Sequence, residues 1–154
     1  MEECAALPGH EVFKYLDESG EVRDVKSRDL NAYIKEVMGE EFTAKDFRTW
    51  AGTLIAAMML AELGPVGELK QAEKNVLAAV DAVAERLGNT RDIARSSYIS
   101  PRIIDHYLEG SVIAYYGEKI EEVIAAQQGD LTEEERALLK LLEKKLRREL
   151  KKAA

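Results

Sequence analysis

Cysteine is almost missing from this 154-residue chain: Cys4 stands alone, so no internal disulfide can form, which suits a reducing cytoplasm. Histidine is nearly as scarce, and the two histidines, far apart from each other and from Cys4, make no zinc-like ligand set. No glycine-rich phosphate loop or dinucleotide fingerprint occurs, so neither ATP nor NAD is expected. The longest apolar run, LIAAMMLA from Leu54, is far too short to span a bilayer. No positively charged leader precedes an apolar stretch at the N-terminus, so no secretory signal and no membrane partner are expected. A hydrophobic fraction of 46% with 33% charged residues fits an ordinary soluble globular domain with room for one real core. The net charge of −7 opposes nucleic-acid binding at face value, because phosphate contacts need lysine and arginine. The first thirty residues, however, hold four more acids than bases, whereas Arg86, Arg91, Arg95 and Arg102 gather around Tyr98.

Hydrophobic periodicity is helical almost throughout, which makes the chain mainly α. The exception is VFKYLDESGEVRDV, whose alternating apolar residues around Glu18-Ser19-Gly20 predict a short β-hairpin near the N-terminus. Ser27 is expected to cap a helix that carries Leu30, Tyr33, Ile34 and Val37 on one face and ends at Gly39. Thr43 caps the next, with Asp46 completing a capping box; from Ala44 to Leu63 this helix is apolar nearly all round and belongs in the middle of a core. Gly64-Pro65 stops it. A helix from Leu69 to Leu87 turns Val76, Ala79, Val80 and Val83 inward, and Gly88 closes it. Asn89-Thr90 caps a short helix, and Pro101 begins another that buries Ile103, Ile104 and Tyr107. A further helix is expected over 111–128, with Tyr115 and Tyr116 packed on it. Gly129-Asp130 divides the main body, residues 1–129, from an amphipathic charged helix over 130–154.

Two stretches carry chemistry. TAKDFRTWAG contains Arg48, and LGNTRDIARSSYISP places Asn89 nine residues before Tyr98. A guanidinium offers a fixed fork of donors to phosphate oxygens, an amide can donate to a non-bridging oxygen as charge builds, and a phenol can attack phosphorus. Each residue also has a plainer reading. Tyr98 would be an amphipathic packing residue. Arg48 would snorkel past an apolar face or pair with Asp46. Asn89 would be a helix-ending turn residue. Lys45 is a backbone-phosphate contact or a solvated lysine, and Arg91 and Arg95 contact phosphates or pair with Asp92 and nearby glutamates. His106 is assigned no catalytic role, and the KKLRRELKK run from Lys144 reads as a docked or pairing helix before it reads as a nucleic-acid arm.

Together with the words around them, these stretches resemble the C-terminal half of the catalytic domain of a type IB DNA topoisomerase of the small bacterial or poxvirus-like kind. LPGHEVFKYLDESGEV and SRDLNAYIKEVMGEEFTAKDFRTWAGT resemble the lead-in to that family's second catalytic arginine, and LGNTRDIARSSYISPRIIDHYLEG resembles the segment that delivers its tyrosine. The resemblance implies that Tyr98 is the nucleophile, that Arg48 is the arginine, and that Asn89 stands where many members carry histidine. It implies relaxation of duplex DNA through a 3′-phosphotyrosine, without ATP or metal, by a monomer associated with the nucleoid in the cytoplasm. The layout is also similar to tyrosine recombinases, though KDFRTWAGT favours the topoisomerase; a non-catalytic helical module binding DNA or protein is the plainest alternative. The family's other arginine and its general-acid lysine match no residue of this chain, so it reads as a fragment whose missing N-terminal half is a possible partner, with weak activity and weak DNA affinity expected of it alone.

Overall fold

The computed structural model describes residues 11, 13–113 and 131–153, with the side chains of 145, 146 and 148–153 left aside. The LPG segment, Cys4, His10, Tyr115, Tyr116, Gly129-Asp130 and nearly all of the helix expected over 111–128 lie outside these residues. The chain divides into two compact units, Met1–Asp46 and Phe47–Ala154.

In the first unit, strands β1 (Lys14–Leu16) and β2 (Val22–Asp24) pair antiparallel, with Tyr15 opposite Arg23. Asp17 organises the turn between them. Its carboxylate accepts the Ser19 hydroxyl at 2.6 Å, the Ser19 and Glu21 amides at 3.0 Å each and Arg23 Nε at 2.7 Å. Those donors, the Ser19 hydroxyl first and Arg23 next, hold its carboxyl well below the ordinary carboxylate range. Gly20 supplies the positive φ of 81° that the turn requires.

Helix α1 (Ser27–Met38) corrects one sequence expectation. Ser27 is the first helical residue, and the cap position falls to Lys26, whose amide donates to the Asp29 carboxylate at 2.9 Å. The reciprocal bond from an acidic third residue decides the boundary, so a hydroxyl at Ser27 is not needed. The apolar face of α1 is mostly exposed. Ile34 is 7% exposed, but Leu30 is 46% and Tyr33 and Val37 are each 63% exposed. A small unit cannot bury every face of a four-residue apolar stripe, because its surface outgrows its core.

Helix α2 (Ala44–Leu63) starts as expected. The Thr43 amide and hydroxyl both donate to the Asp46 carboxylate at 2.8 Å, which holds that carboxyl below its ordinary value. The Asn31 side chain accepts the Ala44 amide at 2.9 Å, tying α1 to this helix start.

The second unit is built around the rest of α2, whose residues Gly52 through Met58 and Leu60 are buried. Helix α3 (Leu69–Leu87) packs Val76, Ala79, Val80 and Val83 into the same core, and α5 (Pro101–Leu108) adds Ile103, Ile104 and Tyr107. Between them lie a single turn, α4 (Arg91–Ile93), and a π-helical turn over Ala94–Tyr98. Helix α6 (Glu133–Ala153) inserts Leu138 and lays Ala137, Leu141 and Leu142 against the cluster. Trp50 packs at its edge and donates from Nε1 to Glu135 at 2.9 Å. Among the described residues no helix is long and apolar enough to cross a membrane.

Candidate functional site

The C-terminal end of α3 is where the candidate residues meet. Gly88 takes the left-handed conformation, φ 66°, and the Asn89 amide returns to the Ala84 carbonyl at 2.9 Å, a helix-ending turn that consumes carbonyls a helix otherwise leaves without partners. That turn leaves the Leu87 carbonyl available. Two side chains donate to it: Arg48 Nη2 at 2.8 Å and Asn89 Nδ2 at 2.9 Å. The arginine comes from α2 and the amide from the turn, so one carbonyl oxygen gathers residues 41 positions apart in sequence. The Arg48 guanidinium carbon also lies 4.8 Å from the centroid of the Tyr98 ring, within range of a cation–π contact. Arg48, Asn89 and Tyr98 are each half-buried, open enough for a ligand to reach and enclosed enough to be held.

Tyr98 is the last residue of the π-helical turn, after which Ile99 is extended. Such turns are rare, poorly paired and frequent at functional positions. Thr90 caps the preceding short helix through its hydroxyl, which accepts from the Ile93 amide at 3.4 Å. The Asn89-Thr90 pair therefore divides its labour: Asn89 finishes one helix and Thr90 starts the next.

The other candidates are elsewhere. Arg91 forms a two-pronged ion pair with Asp81, at 2.5 and 2.7 Å, rather than with Asp92 or a glutamate. The pair raises the arginine's pKa and lowers that of Asp81, in both cases chiefly through the hydrogen bond. Arg95 is exposed and lines a groove of about 300 Å³ with Glu73, Val76, Leu77, Ile104 and Leu108. At about 1.5 Å of rise per residue, Leu77 lies roughly 15 Å along α3 from Leu87, so Arg95 does not join the cluster there. Lys45 is exposed, one turn before Arg48 in α2. His106 is buried. Among the described residues no three His, Cys, Asp or Glu side chains gather as metal ligands.

Sequence reasoning missed the supports of this cluster. Leu87 contributes through its carbonyl, which a residue type does not advertise. Thr49, Gly52 and Thr53 reach the segment bearing Tyr98: Thr53 Oγ1 accepts the Ser100 amide at 3.1 Å, and a side-chain carbon on Gly52 would stand 2.5 Å from the Tyr98 carbonyl. Their signal was present as small and hydroxyl residues at helical spacing in a helix otherwise avoiding polar groups.

Residues 1–123 match the family described as eukaryotic DNA topoisomerase I, catalytic core. The chain is also 34% identical over 108 residues to the DNA topoisomerase 1B of Acanthamoeba polyphaga mimivirus, an alignment that covers 66% of this chain and 32% of the viral protein. It thus spans about a third of that relative's length.

Proposed function

Because the chain belongs to the type IB DNA topoisomerase family, sharing the catalytic core of eukaryotic DNA topoisomerase I, we propose that it carries the tyrosine-bearing part of a site that cuts and reseals one strand of duplex DNA. The observation that supports this reading most is the convergence of Arg48 and Asn89 on the Leu87 carbonyl with the Tyr98 ring beside the guanidinium. A carbonyl oxygen that draws two donors marks a place where a phosphate oxygen, a stronger acceptor, would be met by the same two groups.

In the proposed reaction the Tyr98 hydroxyl loses its proton and its oxygen attacks phosphorus. The bond from phosphorus to the 5′ oxygen breaks, the strand is left as a 3′-phosphotyrosine, and the 5′ oxygen departs with a proton as a hydroxyl. Arg48 and Asn89 stabilise the charge that accumulates on the non-bridging oxygens. One phosphoester replaces another, so the bond is conserved and resealing is the same step reversed, with no nucleotide consumed. Rotation about the intact strand in between would release torsion. Protonation of the leaving oxygen calls for a general acid, and the lysine that the resemblance implies for that task matches no residue among these 154.

The test removes that requirement. A duplex with sulfur in place of the departing 5′ oxygen has a leaving group that needs no proton donor, since thiols ionise near pH 8.5 where alcohols do not. At low salt, which favours phosphate contacts, the 154-residue chain is expected to form a covalent adduct with this duplex. The adduct should vanish in Tyr98→Phe and slow markedly in Arg48→Ala. No adduct with the unaltered chain, or an adduct that survives Tyr98→Phe, overturns the proposal.

A further inference from the structure

A strip of three residues on α2 encloses the backbone of Tyr98. Gly52 and Thr53 follow Thr49 by three and four residues, so all three lie towards one side of the helix. Thr53 is 3% exposed in a stretch of otherwise apolar burial, where a hydroxyl without partners would be costly. Its partners are on the tyrosine segment. Thr53 Oγ1 accepts the Ser100 amide at 3.1 Å and donates a long bond to the Tyr98 carbonyl at 3.5 Å; Thr49 Oγ1 donates to the Ser97 carbonyl at 3.4 Å.

The location of these bonds gives them their importance. The chain leaves helical geometry at Ile99, φ −114° and ψ 125°, so the carbonyls at the end of the π-helical turn have no helical partner. The two threonine hydroxyls reach the carbonyls of Ser97 and Tyr98, and Thr53 also takes the amide of Ser100, the capping residue of α5. One hydroxyl therefore bridges both sides of the break that Tyr98 occupies. Gly52 permits the approach. A side-chain carbon there would lie 2.5 Å from the Tyr98 carbonyl oxygen, 3.2 Å from the Tyr98 Cβ and 3.3 Å from a methyl of Leu87, the residue whose carbonyl holds Arg48 and Asn89. Arg48 is the neighbour of Thr49 on the same helix, so the guanidinium and the tyrosine's backbone are both referenced to α2.

We propose that Thr49, Gly52 and Thr53 are positioning residues that set the pose of Tyr98 against Arg48 through the backbone of the π-helical turn. This rests on the reading of Tyr98 as the nucleophile. A rigid helix that carries one catalytic group and grips the backbone of the other fixes their separation without touching substrate. A displacement of about 1 Å at a reacting atom costs on the order of a hundredfold in rate, which sets the scale of the effect.

The experiment uses the 154-residue chain with tyrosine rings labelled by carbon-13, the Tyr98 signals being those lost in Tyr98→Phe. Thr53→Val keeps the shape and removes the hydroxyl; it is expected to shift the Tyr98 ring signals, to weaken their cross-relaxation with the Arg48 side chain, and to speed exchange of the Ser100 amide by roughly tenfold, the loss of one hydrogen bond. Amides of the core residues Val80 and Val83 should exchange as before, which separates this from general loosening. Thr53→Ser should restore all three readings. With the sulfur-bridged duplex, Thr53→Val should slow Tyr98-dependent adduct formation by about ten- to a hundredfold at unchanged DNA affinity, and Thr53→Ser should recover it. Gly52→Ala should act in the same direction more strongly. Unchanged Tyr98 ring signals and Ser100 exchange in Thr53→Val overturn the proposal, as does a Tyr98-dependent adduct that forms at the normal rate. If the unaltered chain gives no Tyr98-dependent adduct, the nucleophile assignment fails instead, and the ring signals alone decide whether α2 sets the pose.

Discussion

Tyr107→Phe should unfold this protein more easily, whereas Tyr98→Phe should not. The Tyr107 side chain is 1% exposed, and its hydroxyl donates to the Gly64 carbonyl at 2.7 Å while accepting from Asn75 Nδ2 at 2.6 Å. Gly64 follows the end of α2, Asn75 belongs to α3 and Tyr107 to α5, so one phenol fastens three helices. Removing the oxygen leaves the ring in place and creates little cavity. It does leave the Gly64 carbonyl and an Asn75 N–H without that partner. Asn75 is 7% exposed, and its Oδ1 is engaged by Gln71 Nε2 at 2.9 Å, so the amide cannot turn to water without breaking a second bond. A net hydrogen bond contributes about 1 kcal/mol and a buried group left unpaired costs about 1–3 kcal/mol, which puts the loss at roughly 2–3 kcal/mol. For a protein of this size that corresponds to a fall in melting temperature on the order of 10 °C. Thermal unfolding followed by circular dichroism at pH 7 measures it, with half-buried Tyr98→Phe as the control. A Tyr107→Phe protein melting within about 2 °C of the parent would refute the reasoning, because that is the range of changes that touch nothing important.

Four further expectations follow from the same observations. On the reading, implied by the resemblance, that the general-acid lysine and the other arginine have no counterpart in these 154 residues, the chain should relax supercoiled plasmid poorly or not at all; rapid relaxation in a gel assay would contradict this. Mixed with a polypeptide that supplies those two groups from a type IB topoisomerase, it should regain relaxation that depends on both Arg48 and Tyr98, and regained activity indifferent to either would sink the assignment. The Asp17 carboxyl is depressed below its ordinary value of 3.8, so its contribution is complete above that value and is lost as pH falls towards the folded pKa: hairpin amide signals should hold at pH 5 and fade from about pH 4 downward, and the dependence should disappear in Asp17→Asn. In the assisted reaction Asn89→Ala should slow single-turnover cleavage by roughly ten- to a thousandfold with DNA binding little changed, and Asn89→His should keep substantial activity; equal losses in both, matched by lower melting temperatures, would make Asn89 a turn residue only.

Much of the fold was legible because its signals are local. The Thr43–Asp46 capping pair, the stop at Gly64, the left-handed Gly88 and the turn around Gly20 are each written in adjacent residues whose backbone chemistry has few alternatives. The continuous apolar surface of α2 likewise announced a central helix, and Gly52 through Met58 are indeed buried. The exposure of most of α1's apolar face was not legible, because amphipathic spacing says which side chains could be covered, and not whether the unit has mass enough to cover them. Ser27 failed as a cap for a smaller reason: two residues near the helix start compete, and the Asp29 carboxylate answering the Lys26 amide decided in favour of the earlier one. The partner of Arg91 was out of reach in the same way, since Asp81 lies ten residues back on another helix while Asp92 is next to it in sequence.

The candidate site divides along the same line. Arg48, Asn89 and Tyr98 were found as side chains in recognisable words, but what gathers them is backbone: the Leu87 carbonyl, the Tyr98 carbonyl beside Gly52, and the Ser100 amide on Thr53. Backbone groups are the same in every residue, so no pattern of residue types marks them, and their roles appear only once helices are placed against each other. In the proposed mechanism the two readings of Asn89 are compatible. Its amide nitrogen closes α3 by returning to Ala84, and its side chain donates to Leu87 beside Arg48. The turn is what aims the side chain. A residue that ends a helix and a residue that meets a phosphate are, in the proposed mechanism, one residue using its backbone for the first task and its side chain for the second.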